Sequence, residues 1–136
     1  MERGWWSVFF AIQGIHHVSL IVRDLDRAKA FYGNVLGLKA IERPPFDFPG
    51  AWYAVGPNQQ LHLIVHQGET LRQGGIDTRD GHFAIRVASF KETRGWLERQ
   101  GVPFEARPHA KAGFPQIYVL DPDHNVIELN ADQLDE

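Results

Sequence analysis

The chain carries one pattern of predicted elements twice, and this internal repeat restricts the fold more than any single motif. Each half begins with an apolar strand, "IHHVSLIVR" or "GHFAIRVA", which an amphipathic helix and three short strands follow. Matched residues of the two halves lie 64 to 66 positions apart, as do the glycines Gly37 and Gly101 after the two helices. The repeat predicts an α+β fold of paired βαβββ modules, in which a concave mixed sheet carries the helices on its outer face.

Capping signals mark both predicted helices. Asp24 is a predicted N-cap of the first helix, and Ser89 with Glu92 forms a capping box at the second. Gly37 and Gly101 are expected to end the two helices in the left-handed conformation. The predicted buried stripe of the second helix consists of Phe90, Trp96 and Leu97.

The 136 residues are predicted to form a single domain of two modules. The first module covers residues 14–67, the second covers 82–131, and the polar, glycine-rich segment 68–81 is the predicted linker. The apolar run 5–12 is shorter than the roughly 20 residues that a bilayer requires, and no A-x-A cleavage site follows it. We therefore expect an appended strand or an extension there.

Charge and composition exclude several classes of function. The net charge of -3 and the pI of about 6.1 argue against a nucleic-acid-binding protein, because such proteins present a basic face. The chain contains no cysteine, so disulfides and thiolate metal sites are ruled out. We expect a cytoplasmic protein that binds neither membrane nor nucleic acid.

Strand alternation separates the two adjacent histidines of the first strand. Neighbouring strand residues point to opposite faces of a sheet. Val18, Leu20 and Val22 form one apolar face, which is expected to pack on the helices. His17 then lies on the opposite face, whereas His16 falls on the apolar side near the start of the strand.

The same alternation places three further polar residues on the non-helical face of their strands. These are His62 in "QLHLIVH", His82 in "GHFAIRV" and Glu128 in "NVIELN". The repeat pairs His17 with His82 at an offset of 65, and His62 with Glu128 at an offset of 66. Two modules related by a pseudo-twofold axis are expected to bring the four residues together on one concave surface.

Three imidazoles and one carboxylate form a donor set for one divalent metal ion per site, such as Zn, Ni, Mn, Fe or Co. Four protein ligands on an octahedral ion leave two positions for substrate or water. The predicted site is therefore catalytic rather than structural.

Three segments resemble the vicinal-oxygen-chelate superfamily: "HHVSLIVRDLDRAKAFYGNVLGL", "GHFAIRV" and "DPDHNVIEL". The superfamily includes glyoxalase I, methylmalonyl-CoA epimerase, fosfomycin-resistance enzymes, extradiol dioxygenases and bleomycin-binding proteins, and the resemblance covers residues 14–131. It implies metal ligands at His17, His82 and Glu128. At position 62 glyoxalase I is expected to have a glutamate, so the resemblance leaves His62 as a fourth ligand or general base.

The stretch "RPPFDFPGAWYAVG" resembles a glyoxalase I-like subgroup with a similar aromatic loop. The candidates for the wall of an apolar pocket are its four aromatic residues, Phe46, Phe48, Trp52 and Tyr53. Arg86 shares the His82 face and is a candidate for binding a substrate carboxylate or phosphonate, or for a salt bridge at the rim. The predicted substrate-binding residues are Arg86, Trp52, Phe48 and His66.

The leading hypothesis is a metal-dependent lyase or isomerase that chelates the oxygens of a small-molecule substrate and stabilises an enolate or oxyanion. Glu128 or His62 is expected to move the proton. One alternative is a non-haem Fe(II) dioxygenase, with His17, His82 and Glu128 as its triad. The other is a metal-free binding protein of the bleomycin-resistance type. A homodimer is expected, and the four ligands then come from one chain or from two.

Overall fold

The structure is a computed structural model, and it describes residues 11–66, 72, 74–79 and 81–135. Within these residues, eight strands and two α-helices follow one another as two βαβββ units. Their bounds are β1 His17–Val22, α1 Leu25–Lys29, β2 Lys39–Ile41, β3 Gly50–Val55, β4 Gln59–Val65, β5 His82–Arg86, α2 Phe90–Arg99, β6 Phe104–Arg107, β7 Gln116–Leu120 and β8 Val126–Asn130.

The strands form two four-stranded mixed sheets of identical topology. The first sheet has the order β1-β4-β3-β2, and the second has the order β5-β8-β7-β6. In each sheet the first and last strands of the module pair in parallel, and the remaining pairs are antiparallel. The predicted α+β fold of paired βαβββ modules is confirmed.

The predicted caps are present at both helices. The Asp24 carboxylate accepts the backbone N–H of Arg27 at 3.1 Å, and the Ser89 hydroxyl accepts that of Glu92 at 3.0 Å. Gly37 and Gly101 have φ angles of 72° and 69°, which are the left-handed values expected just after a helix.

The first helix changes its hydrogen-bonding pattern along its length. α1 continues directly into a π-helical segment, Ala30–Val35, which buries Phe31 and Tyr32. The Tyr32 hydroxyl donates to the Asp121 carboxylate at 2.6 Å, in the turn between β7 and β8. In the same turn, Asp123 Oδ1 accepts a hydrogen bond from the backbone N–H of Arg23 at 3.1 Å. These bonds connect the first module to the second.

Buried side chains of both modules form one hydrophobic core. Phe90 and Leu97 belong to it, but Trp96 is 41% exposed, so its predicted place in the buried stripe is wrong. The indole N–H of Trp96 donates to the Val35 carbonyl at 2.7 Å, at the end of the π-helical segment. This bond keeps the indole at the boundary between the helices.

Two predictions fall wholly or partly outside the described residues. Of the apolar run 5–12, residues 5–10 are not described. Of the predicted linker 68–81, the described residues are 72, 74–79 and 81. In the part of the chain that the structure describes, no helix has the length and apolar character needed to cross a membrane.

Candidate functional site

Two of the four predicted ligands, His17 and His62, lie side by side on the first sheet. β1 and β4 run in parallel with His17 opposite Gln60 and Ser19 opposite His62, so the two histidines are diagonal neighbours on one face. Their rings stack with centroids 4.1 Å apart at 17°. His62 is buried in the inner strand β4, whereas His17 is exposed on the edge strand β1.

Two neighbours fix the His62 ring. Trp52 lies directly opposite His62 in the β3–β4 pair, and the two rings stack at 3.9 Å and 3°. His62 Nε2 lies 2.8 Å from Gln60 Oε1, an acceptor, so Nε2 donates and Nδ1 keeps a lone pair. Burial lowers the pKa of His62, and the nearby His17 lowers it further. His62 is therefore neutral at pH 7.

The alternation predicts that His16 lies on the apolar face of the strand, opposite to His17. The structure does not place it there. β1 begins at His17, so His16 precedes the strand and the alternation does not apply to it. Its Nδ1 lies 2.8 Å from the Nδ1 of His17, and its ring centroid lies 6.5 Å from that of His62. The structure thus groups three imidazoles at this end of the first sheet.

The other two predicted ligands, His82 and Glu128, form a second pair on the second sheet. β8 lies between β5 and β7, with Ala84 on one side of Glu128 and Tyr118 on the other. His82 Nε2 lies 3.2 Å from Glu128 Oε1. The Glu128 side chain is buried, and that of His82 is partly exposed.

Glu128 is held by three further donors. The Tyr118 hydroxyl donates to Oε1 at 3.2 Å, and the amides of Gln116 and Asn130 donate to Oε2 at 3.2 Å and 2.7 Å. Burial raises the pKa of Glu128, but the hydrogen bonds from Asn130, His82, Gln116 and Tyr118 outweigh it and the pKa is lowered. Glu128 is therefore a buried carboxylate that stays ionised.

The sequence reasoning missed the groups that orient the candidate ligands: Gln60, Gln116, Tyr118 and Asn130. The internal repeat offered one signal for Tyr118. Trp52 and Tyr118 are 66 residues apart, and the same offset relates His62 to Glu128. Trp52 and Tyr118 each lie opposite the candidate ligand of the neighbouring strand. The repeat therefore extends to the neighbours of the ligands.

The structure brings the four candidates together as two pairs, not as one group of four. Among the described residues, no set of three or more His, Cys, Asp or Glu side chains is arranged to hold a metal ion. The two pairs lie on separate sheets. In the described strand orders, β1 is at an edge of the first sheet and β5 is at an edge of the second.

A cavity of about 850 Å³ lies beside these two edge strands, and its apolar lining includes Val18, Leu20, Phe83 and Ile85. Of the predicted site residues, only His82 and Arg86 line it.

Arg86 and His66, two of the predicted substrate-binding residues, lie apart from the imidazole pair. Arg86 Nε donates to Asn130 Oδ1 at 2.7 Å, and its Nη1 lies 3.3 Å from Asp132 Oδ1. These contacts correspond to the rim salt bridge that was one of its two predicted roles. His66 is exposed beyond the end of β4, four residues from His62, which is about 13 Å along a strand.

The aromatic candidates divide between the core and the surface. Phe46 and Phe48 are 46% and 39% exposed, and Trp52 lies on the His62 ring. Tyr53 is 3% exposed in the hydrophobic core, so its predicted place in a pocket wall is wrong. It follows Trp52 in β3 and therefore points to the opposite face of the sheet.

Comparison with known proteins gives one consistent result. The model of the Glyoxalase/Bleomycin resistance protein/Dioxygenase superfamily matches residues 14–129. Glyoxylase I 4 of Arabidopsis thaliana is 30% identical over 129 residues, which are 90% of this chain and 74% of that protein. Lactoylglutathione lyase of Salmonella typhimurium is 35% identical over 124 residues, with 83% of this chain and 88% of that protein covered. The crystal structure of a glyoxalase family protein from Bacillus anthracis has a TM-score of 0.78 and 29% identity, over 93% of this chain and 100% of that one.

Proposed function

Because the chain belongs to the Glyoxalase/Bleomycin resistance protein/Dioxygenase superfamily, we propose that it is a divalent-metal-dependent lyase or isomerase of glyoxalase type that acts on a small molecule. Relatives named lactoylglutathione lyase support the lyase class. The observation that carries the proposal is the buried, ionised Glu128 carboxylate beside His82. A carboxylate held in that state is suited to bind a cation.

The proposed ligands are His17, His62, His82 and Glu128, and their protonation states fit a metal ion. Metal ligands bind through the deprotonated forms, which are neutral imidazole and ionised carboxylate. His62 is neutral with a lone pair at Nδ1, and Glu128 is ionised. Imidazole and carboxylate together suit Zn, Ni, Mn, Fe or Co. Such an ion supplies a Lewis acid that polarises the substrate oxygens.

We propose that the site is completed in a homodimer, where the His17–His62 pair of one copy faces the His82–Glu128 pair of another. Three observations support this. Each chain presents two pairs on separate sheets. Exposed and partly buried residues alternate along the edge strand β5 and over the first four residues of the edge strand β1, and an apolar cavity lies beside them. Isologous dimers are the commonest symmetric assemblies.

Of the two groups expected to move a proton, His62 is better suited than Glu128. The hydrogen bonds that Glu128 accepts from Asn130, His82, Gln116 and Tyr118 lower its pKa, so the carboxylate is a weak base. His62 keeps a lone pair at Nδ1, and Gln60 accepts from Nε2–H, which stabilises the imidazolium that forms. We therefore propose that Glu128 anchors the site and that His62 is the fourth ligand or the base. Its one lone pair at Nδ1 cannot bind the ion and a proton together, so it would take the proton only when it is not coordinated.

Titration of metal-free protein with Zn²⁺, Ni²⁺, Mn²⁺ and Fe²⁺ tests the proposal. We expect about one ion per chain for at least one of these metals. The variant His82→Ala should lose this binding, whereas the control His109→Ala, an exposed loop histidine, should keep it. A metal-free protein with no affinity for any of the ions would overturn the proposal.

Activity assays then separate the reaction classes. Turnover of a glutathione hemithioacetal by the metal-loaded protein would support glyoxalase chemistry. Oxygen consumption with a catechol would instead favour the Fe(II) dioxygenase, and ligand binding by a protein without metal would favour the binding protein.

A further inference from the structure

The segment between β2 and β3 presents a small exposed aromatic surface. Phe46 and Phe48 are 46% and 39% exposed, although large aromatic side chains are usually more buried. Their rings stack on each other with centroids 5.2 Å apart at 18°. We call these two side chains the aromatic shelf.

Arg43 and Gly50 hold the aromatic shelf in place. The Arg43 guanidinium carbon lies 5.0 Å from the Phe46 centroid and 4.9 Å from that of Phe48, and its Nη2 donates to the Phe48 carbonyl at 2.7 Å. A Cβ at position 50 would lie 3.0 Å from that nitrogen and 2.3 Å from the Leu63 carbonyl. Glycine is therefore needed where Arg43 packs against the strand.

A series of ring contacts connects the aromatic shelf to the imidazole pair. The Phe46 centroid lies 6.1 Å from that of Trp52, Trp52 stacks on His62 at 3.9 Å, and His62 stacks on His17 at 4.1 Å. For a molecule whose oxygens reach the imidazoles, Trp52 and the shelf are therefore an adjoining surface on which its remaining part can lie.

The charge of this region is unsuited to an anionic substrate. Of residues 42–52, all of which the structure describes, Arg43 is the one cation, and its guanidinium lies against two rings and a carbonyl. The segment also carries the acidic residues Glu42 and Asp47, both exposed. A carboxylate-rich group such as a glutathione moiety gains little there, whereas a flat, uncharged ring can stack.

The geometry points to a substrate that carries a flat aromatic ring, which the aromatic shelf binds while the substrate oxygens lie toward His17 and His62. The inference rests on the proposed function, because the position of the oxygens follows from the proposed ligands. It adds the chemical class of the rest of the substrate.

Two chelating probes of equal carbon number test the inference: benzohydroxamate, with a flat ring, and cyclohexanecarbohydroxamate, with a puckered ring. We expect the metal-loaded protein to bind benzohydroxamate about threefold to tenfold more tightly by calorimetry. The double variant Phe46→Ala/Phe48→Ala should bind the two probes equally. Trp96→Ala, which removes an exposed aromatic side chain on α2, should keep the preference. Circular dichroism confirms that each variant is folded.

The outcomes separate this inference from the proposed function. A protein that binds metal but shows equal affinity for the two probes, or a double variant that keeps the preference, would refute the shelf alone. If no metal binds, the proposed function fails. In that case, saturation-transfer NMR with benzamide and metal-free protein tests the shelf by itself. A benzamide signal that is lost in the double variant supports ring binding at the shelf, and a signal that the double variant keeps refutes it.

Discussion

Glu128 shows how a single residue combines burial with charge. A carboxylate that is 5% exposed would ordinarily take up a proton, because burial disfavours the charged form. Four donors around its two oxygens reverse this effect and lower its pKa. Strand alternation could place Glu128 and Asn130 on the same face of β8. It could not show the other three donors, because His82, Gln116 and Tyr118 lie in neighbouring strands whose register the sequence does not display.

At the residue scale, we predict that Glu128→Gln destabilises the metal-free protein by about 1–3 kcal/mol at pH 7. The new side-chain amide keeps one acceptor oxygen, so its NH2 group must face either the amides of Gln116 and Asn130 or the groups of Tyr118 and His82 that donate to Glu128. Because the folded-state pKa of Glu128 is lowered, the stability it contributes is present above its unfolded value of about 4.5 and is lost as the pH falls through the folded value. Urea unfolding between pH 7 and pH 3 should show that the free energies of unfolding of the wild type and of Glu128→Gln converge as the pH falls.

The control for this comparison is Glu98→Gln. Glu98 is 59% exposed in its side chain and lies 3.9 Å from Arg94 in an ion pair on α2. Its substitution should change the free energy of unfolding by less than about 0.5 kcal/mol. A Glu128→Gln protein as stable as wild type at pH 7 would show that the donors do not favour the charged form.

At the scale of elements, hydrophobic periodicity, helix caps and glycines predicted the βαβββ order that both modules have in the described residues. These signals are local, which is why they can be read directly. The failures were non-local. Trp96 lies outside the predicted buried stripe and donates to the Val35 carbonyl of the other module. His16 lies with the imidazoles because β1 begins at His17, two residues after the start of the predicted strand. The π-helical turn at 30–35 has no signature in helical periodicity.

Gly50 at the start of β3 offers a test at this scale. A Cβ there would lie 2.3 Å from the Leu63 carbonyl, which is part of the β3–β4 pair, so one backbone must move. We predict that Gly50→Ala lowers the free energy of unfolding by about 1–3 kcal/mol. Its control is Gly75→Ala, where a Cβ meets nothing within 4 Å and the effect should stay within about 0.5 kcal/mol. Equal stability of the two variants would show that β3 adjusts freely.

At the scale of the whole molecule, the repeat predicted that His17 and His82 occupy equivalent positions in the two modules, as do His62 and Glu128. It did not predict how the four residues are distributed. The structure gives each sheet one imidazole from an edge strand and one ligand from the strand beside it, so each module carries half of the proposed site. Sequence periodicity describes faces within a sheet, and it contains no information on how two sheets meet.

Mixing variants tests whether two copies share a site. His17→Ala and His82→Ala should each abolish metal binding alone. If sites form between copies, a co-refolded equimolar mixture contains heterodimers in which one of two sites has all four ligands, so metal binding should return to about a quarter of the wild-type amount per chain. Mixing His17→Ala with His62→Ala, which alter the same half, should restore nothing. Absence of recovery in the first mixture, with heterodimers verified by native mass spectrometry, would place all four ligands in one chain and require the two sheets to approach within it.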